Sequence, residues 1–236
     1  MRSSYHSLMH LVIRSFVAFC SAILIAASLS CGSAKTSSNN SALDKPLATP
    51  PVTKTRPKVI ALGDSLTAGF GLTEKESFTY LLQERLNSDG YDYEVVNAGV
   101  SGDTSIGGLE RSDWVLEQDD AKVLILELGA NDLLRGIPVD KMKANLEAII
   151  KKAKAKSLKI LLCGMIAPPT MGQKYQQDFS NAFPDLASEN KVTFLPFLLD
   201  NVALNKDLNQ ADGIHPNAEG EKIMTENIYK ALKPLL

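Results

Sequence analysis

Short apolar runs alternate with amphipathic stretches from about residue 57 to the C-terminus. The runs begin with Lys58–Leu62 and Tyr93–Asn97 and continue around residues 123–128, 160–165 and 192–195. Between them, apolar residues recur three and four positions apart, as they do in helices packed on a core. This alternation predicts an α/β fold, in which helices cover both faces of a parallel sheet of five strands.

The first apolar run leads directly into Gly63-Asp64-Ser65-Leu66. We expect Ser65 in a loop at the carboxyl end of a buried strand, because open α/β proteins bind ligands at that edge of the sheet. Asp and Ser after a glycine are also ordinary turn residues, so the tetrapeptide alone does not indicate an active site.

A second polar motif, Asp212-Gly213-Ile214-His215-Pro216, lies near the C-terminus. Together with Ser65 it supplies a nucleophile, a carboxylate and a base in chain order. The other two histidines lie within the first ten residues, which makes His215 the candidate base. Asp212 would orient the imidazole or form a turn that caps the last helix, and the two roles are compatible. We expect that helix to begin at Pro216.

Two further strand ends carry polar loops, one at residues 98–104 and one at Gly129-Ala130-Asn131-Asp132. The carboxyl ends of parallel strands lie at one edge of the sheet, so both loops are expected to converge on Ser65. Either loop could also be a plain turn, because glycine, asparagine and aspartate are common turn residues.

The four polar motifs together resemble the diagnostic blocks of the SGNH, or GDSL, hydrolase family. The blocks are Gly63-Asp64-Ser65-Leu66, Ser101-Gly102-Asp103-Thr104, Gly129-Ala130-Asn131-Asp132 and Asp212-Gly213-Ile214-His215-Pro216. Val95-Val96-Asn97-Ala98 and Leu126-Glu127-Leu128-Gly129 are further similar to the bacterial subgroup of multifunctional acyl-CoA thioesterase I, arylesterase and lysophospholipase. The resemblance covers Pro57 to Leu236 and implies a flavodoxin-like three-layer α/β/α sandwich.

The resemblance implies a catalytic triad of Ser65 as nucleophile, Asp212 as acid and His215 as base. It also implies an oxyanion hole formed by the backbone N–H groups of Ser65 and Gly102 and the side-chain amide of Asn131. Attack on an ester carbonyl places negative charge on oxygen, and preorganised donors of this kind stabilise it. Gly99 is interpreted as a turn residue rather than as an oxyanion donor.

Substrate-binding positions also follow from the resemblance. The loop after Asn131 would shape the acyl pocket through Leu134, Ile137 and Pro138. A glycosidase-type pair of carboxylates, Asp64 and Asp132, is the competing interpretation, but that chemistry would not use the serine and histidine motifs.

The N-terminal region has the features of an export signal. Arg2 and Arg14 precede an uncharged run from Ser15 to Leu29, which as a helix would rise about 22 Å, short of the roughly 30 Å of a bilayer core. We therefore predict a lipoprotein-type signal peptide over residues 1–30. Cleavage by ordinary signal peptidase and a buried N-terminal helix are the alternatives.

Ser28-Leu29-Ser30-Cys31 resembles a lipobox, so Cys31 is the candidate lipidation site, although a leucine is usual where Ser28 stands. Residues 31–56 are rich in Ser, Thr, Asn, Pro and Lys and are expected to form a disordered tether. The hydrolase domain would then span residues 57–236. These features predict an exported protein, either periplasmic or held at the membrane through a lipid anchor.

The formal net charge of −2 gives no support for a nucleic-acid partner. We find no zinc-ligand spacing and no Gly-rich phosphate loop, so the sequence implies no cofactor and no metal. We expect a monomeric serine esterase or thioesterase that acts on small-molecule or lipid esters, including acyl and aryl esters. A carbohydrate deacetylase of the same family and a non-catalytic surface lipoprotein are the alternatives.

Overall fold

The computed structural model describes residues 55–236. The predicted export segment, Cys31 and the tether up to residue 54 lie outside the described residues, so these assignments and the domain boundary at residue 57 stay predictions. Thr55 and Arg56 contact the domain: the Thr55 hydroxyl donates to Asp120, and Arg56 Nη2 lies 3.3 Å from Asn87 Oδ1. Within this part of the chain, no helix is long and apolar enough to cross a membrane.

The centre of the domain is a five-stranded parallel sheet with strand order β2-β1-β3-β4-β5. The strands are β1 (Lys58–Gly63), β2 (Glu94–Gly99), β3 (Ala121–Glu127), β4 (Lys159–Cys163) and β5 (Thr193–Leu195). The chain crosses to the other side of β1 between β2 and β3, so the sheet has its topological switch point between β1 and β3. Ligands of open α/β sheets bind outside such a switch point.

Seven α-helices connect or follow the strands in the described residues. They are α1 (Ser65–Ala68), α2 (Phe78–Ser88), α3 (Ser105–Leu116), α4 (Ala130–Leu134), α5 (Val139–Ala155), α6 (Gln173–Asn190) and α7 (Ala218–Leu232). Helix α2 packs against α7, whereas α5 packs against both α3 and α6. The predicted three-layer α/β/α sandwich and its five-stranded sheet are confirmed.

The core lies on both sides of β1 and β3, in which residues 59–62 and 123–126 are fully buried. Near-continuous apolar strands are what a parallel sheet covered on both faces requires. Phe78 from α2 and Phe179 and Phe183 from α6 are among the largest fully buried side chains. Full burial of one such side chain contributes roughly 1.5–3 kcal/mol, so the core holds the carboxyl edge of the sheet firmly in place.

Several element boundaries differ from those expected from the sequence. Ser65 is the first residue of the short helix α1 rather than a loop residue, and Asn131 lies in α4. Strand β4 ends at Cys163 instead of Met165. The N–H of Gly164, one residue beyond the end of β4, still donates to Leu195 O at 2.8 Å.

The last helix begins at Ala218, so the expected start at Pro216 is wrong. Asn217 is the N-cap, since its side-chain oxygen accepts hydrogen bonds from the N–H groups of Glu219 and Gly220 at 3.0 and 3.1 Å. Pro216 instead forms an isolated antiparallel bridge with Asn209. Consequently, residues 210–215 form a loop that is closed at its base.

Candidate active site

Ser65 follows directly from the end of β1 at the first position of α1. Asp64 caps this helix, since its Oδ1 accepts a hydrogen bond from Leu66 N at 3.0 Å. Gly69 ends the helix in the left-handed conformation, with φ of +73°, and its N–H donates to Ser65 O. The short helix thus fixes the backbone of Ser65 at the carboxyl edge of the sheet.

Gly63 and Gly99 are paired in register at the ends of β1 and β2. A Cβ atom on Gly99 would lie 2.3 Å from the backbone nitrogen of Ala68, and one on Gly63 would lie 2.0 Å from Thr67 Oγ1. These two glycines therefore allow α1 to pack directly on the strand ends. The expectation that Gly99 is a turn residue is wrong, because it is the last residue of β2.

The structure brings Ser65, His215 and Asp212 together in one continuous chain of contacts. Ser65 Oγ lies 2.8 Å from His215 Nε2, and His215 Nδ1 lies 2.7 Å from Asp212 Oδ2. The other carboxylate oxygen of Asp212 accepts from the N–H groups of Ile214 and His215 at 3.0 and 3.1 Å. The imidazole can accept the proton of the serine hydroxyl while its second nitrogen donates to a fixed carboxylate.

The electrostatics of Asp212 suit a partner for a protonated imidazole. Its hydrogen bond with His215 lowers its pKa below the usual value, and the N–H groups of Ile214 and His215 add to this effect. Asp212 therefore carries its negative charge at neutral pH. It does not cap the last helix, because that position is taken by Asn217.

The aromatic ring of Phe70 packs against His215, with 4.7 Å between ring centroids and a tilt of 37° between the ring planes. Phe70 is 48% exposed, so its ring is also accessible to a bound molecule. Its N–H donates to Ser65 O at 3.1 Å. Phe70 thus contacts both the serine and the histidine.

Asn131 lies beside the serine motif, since its Nδ2 donates to Asp64 Oδ2 at 3.0 Å. A primary amide has two N–H groups, so one of them remains for a ligand. Within residues 55–236, the backbone N–H groups of Ser65 and Gly102 donate to no other group of the chain. Two backbone donors and one amide donor are therefore available near the serine.

The loop that carries Gly102 is fixed to the strand ends by Arg111. This guanidinium donates to Asp103 Oδ2 at 2.6 Å, to Ala98 O at 2.7 Å and to Gly63 O at 2.9 Å. Gly102 has φ of +85°, a conformation that favours glycine. Arg111 thereby links the ends of β1 and β2 with the Gly102 loop.

A buried pair of carboxyl groups, Asp64 and Glu127, lies beneath the serine. Glu127 Oε2 accepts from Asp64 N at 3.1 Å and from Thr67 Oγ1 at 2.7 Å. Burial raises the pKa of Asp64 from 3.8 to about 6, and burial together with the nearby Asp64 charge raises the pKa of Glu127 well above 4.5. Burial therefore favours the protonated form of both carboxyl groups, and the hydrogen bonds of Glu127 position the turn before Ser65.

Asp132, one carboxylate of the competing glycosidase-type pair, and Cys163 are both buried in the domain. Asp132 is fully buried and accepts hydrogen bonds from Ser105 N at 2.7 Å and Ser105 Oγ at 2.6 Å, so it joins α4 to α3. Cys163 is fully buried, and burial raises its pKa. These contacts do not support a paired-carboxylate or cysteine chemistry. In the described part of the chain, no cluster of three His, Cys, Asp or Glu side chains could hold a metal ion.

A sequence model of the GDSL-like Lipase/Acylhydrolase family matches residues 61–223. The chain belongs to this family. The match extends from β1 into α7 and includes all three residues of the Ser65–His215–Asp212 contact chain. The expected family resemblance is confirmed, and the chain is an ester-hydrolysing enzyme.

Relatives of this GDSL-family chain are named esterases and thioesterases. It is 40% identical over 178 residues to Esterase TesA of Pseudomonas aeruginosa, covering 75% of this chain and 89% of that protein. It is 36% identical over 178 residues to Thioesterase 1/protease 1/lysophospholipase L1 of Escherichia coli, covering 75% and 84%. The crystal structure of the psychrotrophic esterase EstA from Pseudoalteromonas sp., inhibited by monoethylphosphonate, is 35% identical with a TM-score of 0.72, covering 75% and 97%.

The acyl-pocket residues expected from the GDSL-family resemblance lie around the end of α4. Leu134 is 63% exposed, and Ile137 O accepts a hydrogen bond from the Tyr175 hydroxyl at 2.9 Å. Pro138 lines a cavity of about 580 Å³ between α5 and α6, and Ser65 does not line this cavity. The binding role of Leu134, Ile137 and Pro138 therefore stays a prediction.

Sequence reasoning missed several side chains that hold this GDSL-family site together, namely Glu127, Phe70, Arg111 and Gln210. Glu127 carried a detectable signal, because it is a charged residue at the end of an otherwise apolar strand. Phe70, Arg111 and Gln210 carried none, since each of them also binds a partner at least 13 positions away in the chain.

Proposed function

We propose that the chain hydrolyses carboxylic esters and thioesters through a covalent acyl intermediate on Ser65. The observation that carries this proposal is the pair of contacts at His215, 2.8 Å from Nε2 to Ser65 Oγ and 2.7 Å from Nδ1 to Asp212 Oδ2. A serine hydroxyl needs a base to become an effective nucleophile, and here the base lies within hydrogen-bond distance of the hydroxyl.

In the first half of the reaction, Ser65 Oγ attacks the carbonyl carbon and its proton passes to His215 Nε2. Negative charge develops on the carbonyl oxygen, where the N–H groups of Ser65 and Gly102 and the Asn131 amide would donate. Removal of one such donor typically costs about 2.7–4 kcal/mol of transition-state stabilisation. The imidazolium then gives its proton to the leaving alcohol or thiol as the bond to the acyl carbon breaks.

In the second half, a water molecule attacks the acyl-serine while His215 accepts one of its protons. Collapse of the tetrahedral intermediate releases the carboxylic acid, and His215 returns the proton to Ser65 Oγ. Asp212 accepts the Nδ1–H hydrogen bond in both halves and stabilises each imidazolium. The cycle consumes one water molecule and restores the free enzyme.

We infer that the substrates are acyl or aryl esters, including lipid esters such as lysophospholipids. The names of the relatives support this inference, because they include an esterase and a thioesterase that is also a lysophospholipase. Exposed apolar side chains lie in or just after the segments that hold the site residues, namely Phe70, Leu134 and Ile214. Such side chains favour binding of an apolar acyl or aryl group.

We further propose that the protein is exported and anchored through a lipid on Cys31, and that it acts as a monomer. The apolar run before Cys31 supports export, although it lies outside the described residues. Fractionation of the bacterial host, with intact-mass measurement of the mature protein, tests the anchor. A soluble protein with an unmodified N-terminus would contradict it, and a Cys31→Ser variant supplies the control.

The catalytic proposal is tested with Ser65→Ala and His215→Ala in the full-length chain. Each variant is expected to lose at least about 10⁴-fold in kcat on p-nitrophenyl esters, because nucleophile and base act as a unit. A fluorophosphonate probe should label wild type and leave Ser65→Ala unlabelled. Activity of either variant near that of wild type, or equal labelling of Ser65→Ala, would contradict the mechanism.

A further inference from the structure

A single side chain, Gln210, links the segment after Ser65 to the loop that carries His215. Its Nε2 donates to Phe70 O at 2.7 Å and to Pro216 O at 2.9 Å. Phe70 O and Pro216 O are 146 positions apart in the chain. Both N–H groups of one amide are therefore used to join two segments that only the fold brings together.

The backbone of Gln210 is equally committed within the His215 loop. Its N–H donates to His215 O at 2.8 Å, and its carbonyl accepts from Gly213 N at 2.9 Å. These bonds fold the loop around the histidine. Any shift of Gln210 therefore also shifts the backbone of His215.

On the serine side, the segment bound by Gln210 is tied directly to the nucleophile. Phe70 N donates to Ser65 O at 3.1 Å, and the Phe70 ring packs on the imidazole. A continuous path thus runs from Ser65 O through Phe70 and the Gln210 amide to the backbone of His215. The glycine at position 71 leaves room for this amide, since a Cβ there would lie 2.3 Å from Gln210 Oε1.

We propose that Gln210 is a positioning residue that sets the distance between Ser65 Oγ and His215 Nε2. This inference rests on the proposed function, because it assumes that His215 accepts the serine proton. Gln210 has no place among the triad or oxyanion donors and acts through His215. Proton transfer depends steeply on donor–acceptor distance, and displacement of a catalytic group by about 1 Å can cost about a hundredfold in rate.

The neighbouring Asn209 provides a matched control. Its side-chain amide also donates two hydrogen bonds to backbone carbonyls, those of Val202 and Asn205, both at 2.7 Å. These bonds stabilise the same region of the chain without touching Phe70 or His215. Replacement of Asn209 should therefore destabilise this loop region and leave the hydrogen bond between Gln210 and Phe70 intact.

The test uses full-length Gln210→Met, which keeps the side-chain length and removes the donors, beside Asn209→Ala. Gln210→Met is expected to lower kcat on p-nitrophenyl butyrate by about ten- to a hundredfold, with KM within about threefold of wild type. The rate of fluorophosphonate labelling should fall in parallel, while the final extent of labelling stays near one per chain. Asn209→Ala should lower the melting temperature and leave the labelling rate near that of wild type.

A second substitution, Gln210→Asn, tests the proposal if Gln210→Met does not fold. It retains an amide that is one methylene too short to reach both carbonyls, so an intermediate labelling rate is expected. Wild-type rates in the Gln210 variants, or equal loss in Asn209→Ala, would overturn the proposal. If His215→Ala were labelled as fast as wild type, the proposed mechanism would fail instead, which is a distinguishable result.

Discussion

The strand end that carries Ser65 and the loop that carries His215 use their carboxylates in opposite ways. Beneath the serine, Glu127 is fully buried, and burial raises its pKa well above 4.5. In the loop, the Asp212 side chain is 38% exposed, and its hydrogen bond with His215 lowers its pKa. Burial thus favours the protonated carboxyl at one place, whereas hydrogen bonds favour the charged carboxylate at the other.

This difference shows how the Ser65 side and the His215 side of the site are stabilised. The serine side depends on the hydrophobic core and on buried hydrogen bonds, such as those that Glu127 accepts from Asp64 N and Thr67 Oγ1. The histidine side depends on hydrogen bonds within residues 209–217, near the surface. Substitutions of the buried groups beneath Ser65 should therefore affect stability first, and those in the loop should affect turnover first.

The largest expected effect is that of Asp212→Asn. Asparagine keeps the shape but loses the charge that stabilises the imidazolium, so kcat should fall about 10³- to 10⁴-fold. Because the side chain is exposed, the free energy of unfolding should change by less than about 1 kcal/mol. Ester kinetics and urea unfolding measure the two quantities. A variant that unfolds easily yet turns over normally would break the comparison.

Glu221 extends the comparison to helix α7. It is 2% exposed, its Oε2 has no hydrogen-bond partner within residues 55–236, and burial raises its pKa from 4.5 to about 8. The native state then binds more protons than the unfolded state between these values, so this residue lowers stability as pH rises from about 4.5 to 8.

Glu221→Gln should remove this loss of stability at high pH, because glutamine does not ionise. The difference in unfolding free energy between variant and wild type is expected to increase by about 3 kcal/mol between pH 5 and pH 8, in favour of the variant. Urea unfolding at both pH values measures this change. A constant difference across the range would mean that the buried carboxyl is not protonated in the native state.

Glu127 gives a smaller effect on the serine side. Glu127→Ala leaves the Asp64 N–H and the Thr67 hydroxyl without their acceptor, which should cost about 2 kcal/mol of stability at pH 7. Glu127→Gln keeps a neutral acceptor oxygen and should cost less than half as much. Equal losses in the two variants would indicate that the negative charge, rather than the acceptor, is required.

The smallest effect is expected outside both regions, at Ile137. Ile137→Ala should weaken binding of long acyl chains by about 1 kcal/mol and leave acetate esters almost unaffected, because the contact would involve only the distal methylenes. The ratio of kcat/KM for p-nitrophenyl octanoate and acetate measures this preference. An unchanged ratio would separate this loop from acyl binding.

Most of the fold was predictable because its signals are local. Five apolar runs separated by helical periodicity are sufficient to predict a covered parallel sheet, and the observed strand order agrees with the flavodoxin-like expectation. The error at Pro216 has a physical cause. Proline is favoured in the first turn of a helix, but Asn217 is the better cap because its side chain binds two orphan N–H groups.

The candidate site was predictable only in part. Ser65, Asp212 and His215 lie in recognisable motifs, and the structure brings them together, although their roles stay a proposal. Gln210 and Arg111 lie in no motif, because amide and guanidinium groups that bind backbone carbonyls place no demand on neighbouring residues. Their importance depends on long-range contacts, which a single sequence does not reveal.

The antiparallel bridge between Asn209 and Pro216 simplifies the folding of the site. It closes a short loop that contains both Asp212 and His215, so acid and base acquire their spacing locally, at a small cost in chain entropy. Only one distant encounter, between this preassembled hairpin and Ser65, then remains to be made. Three independently placed groups would have required two such searches along the folding pathway.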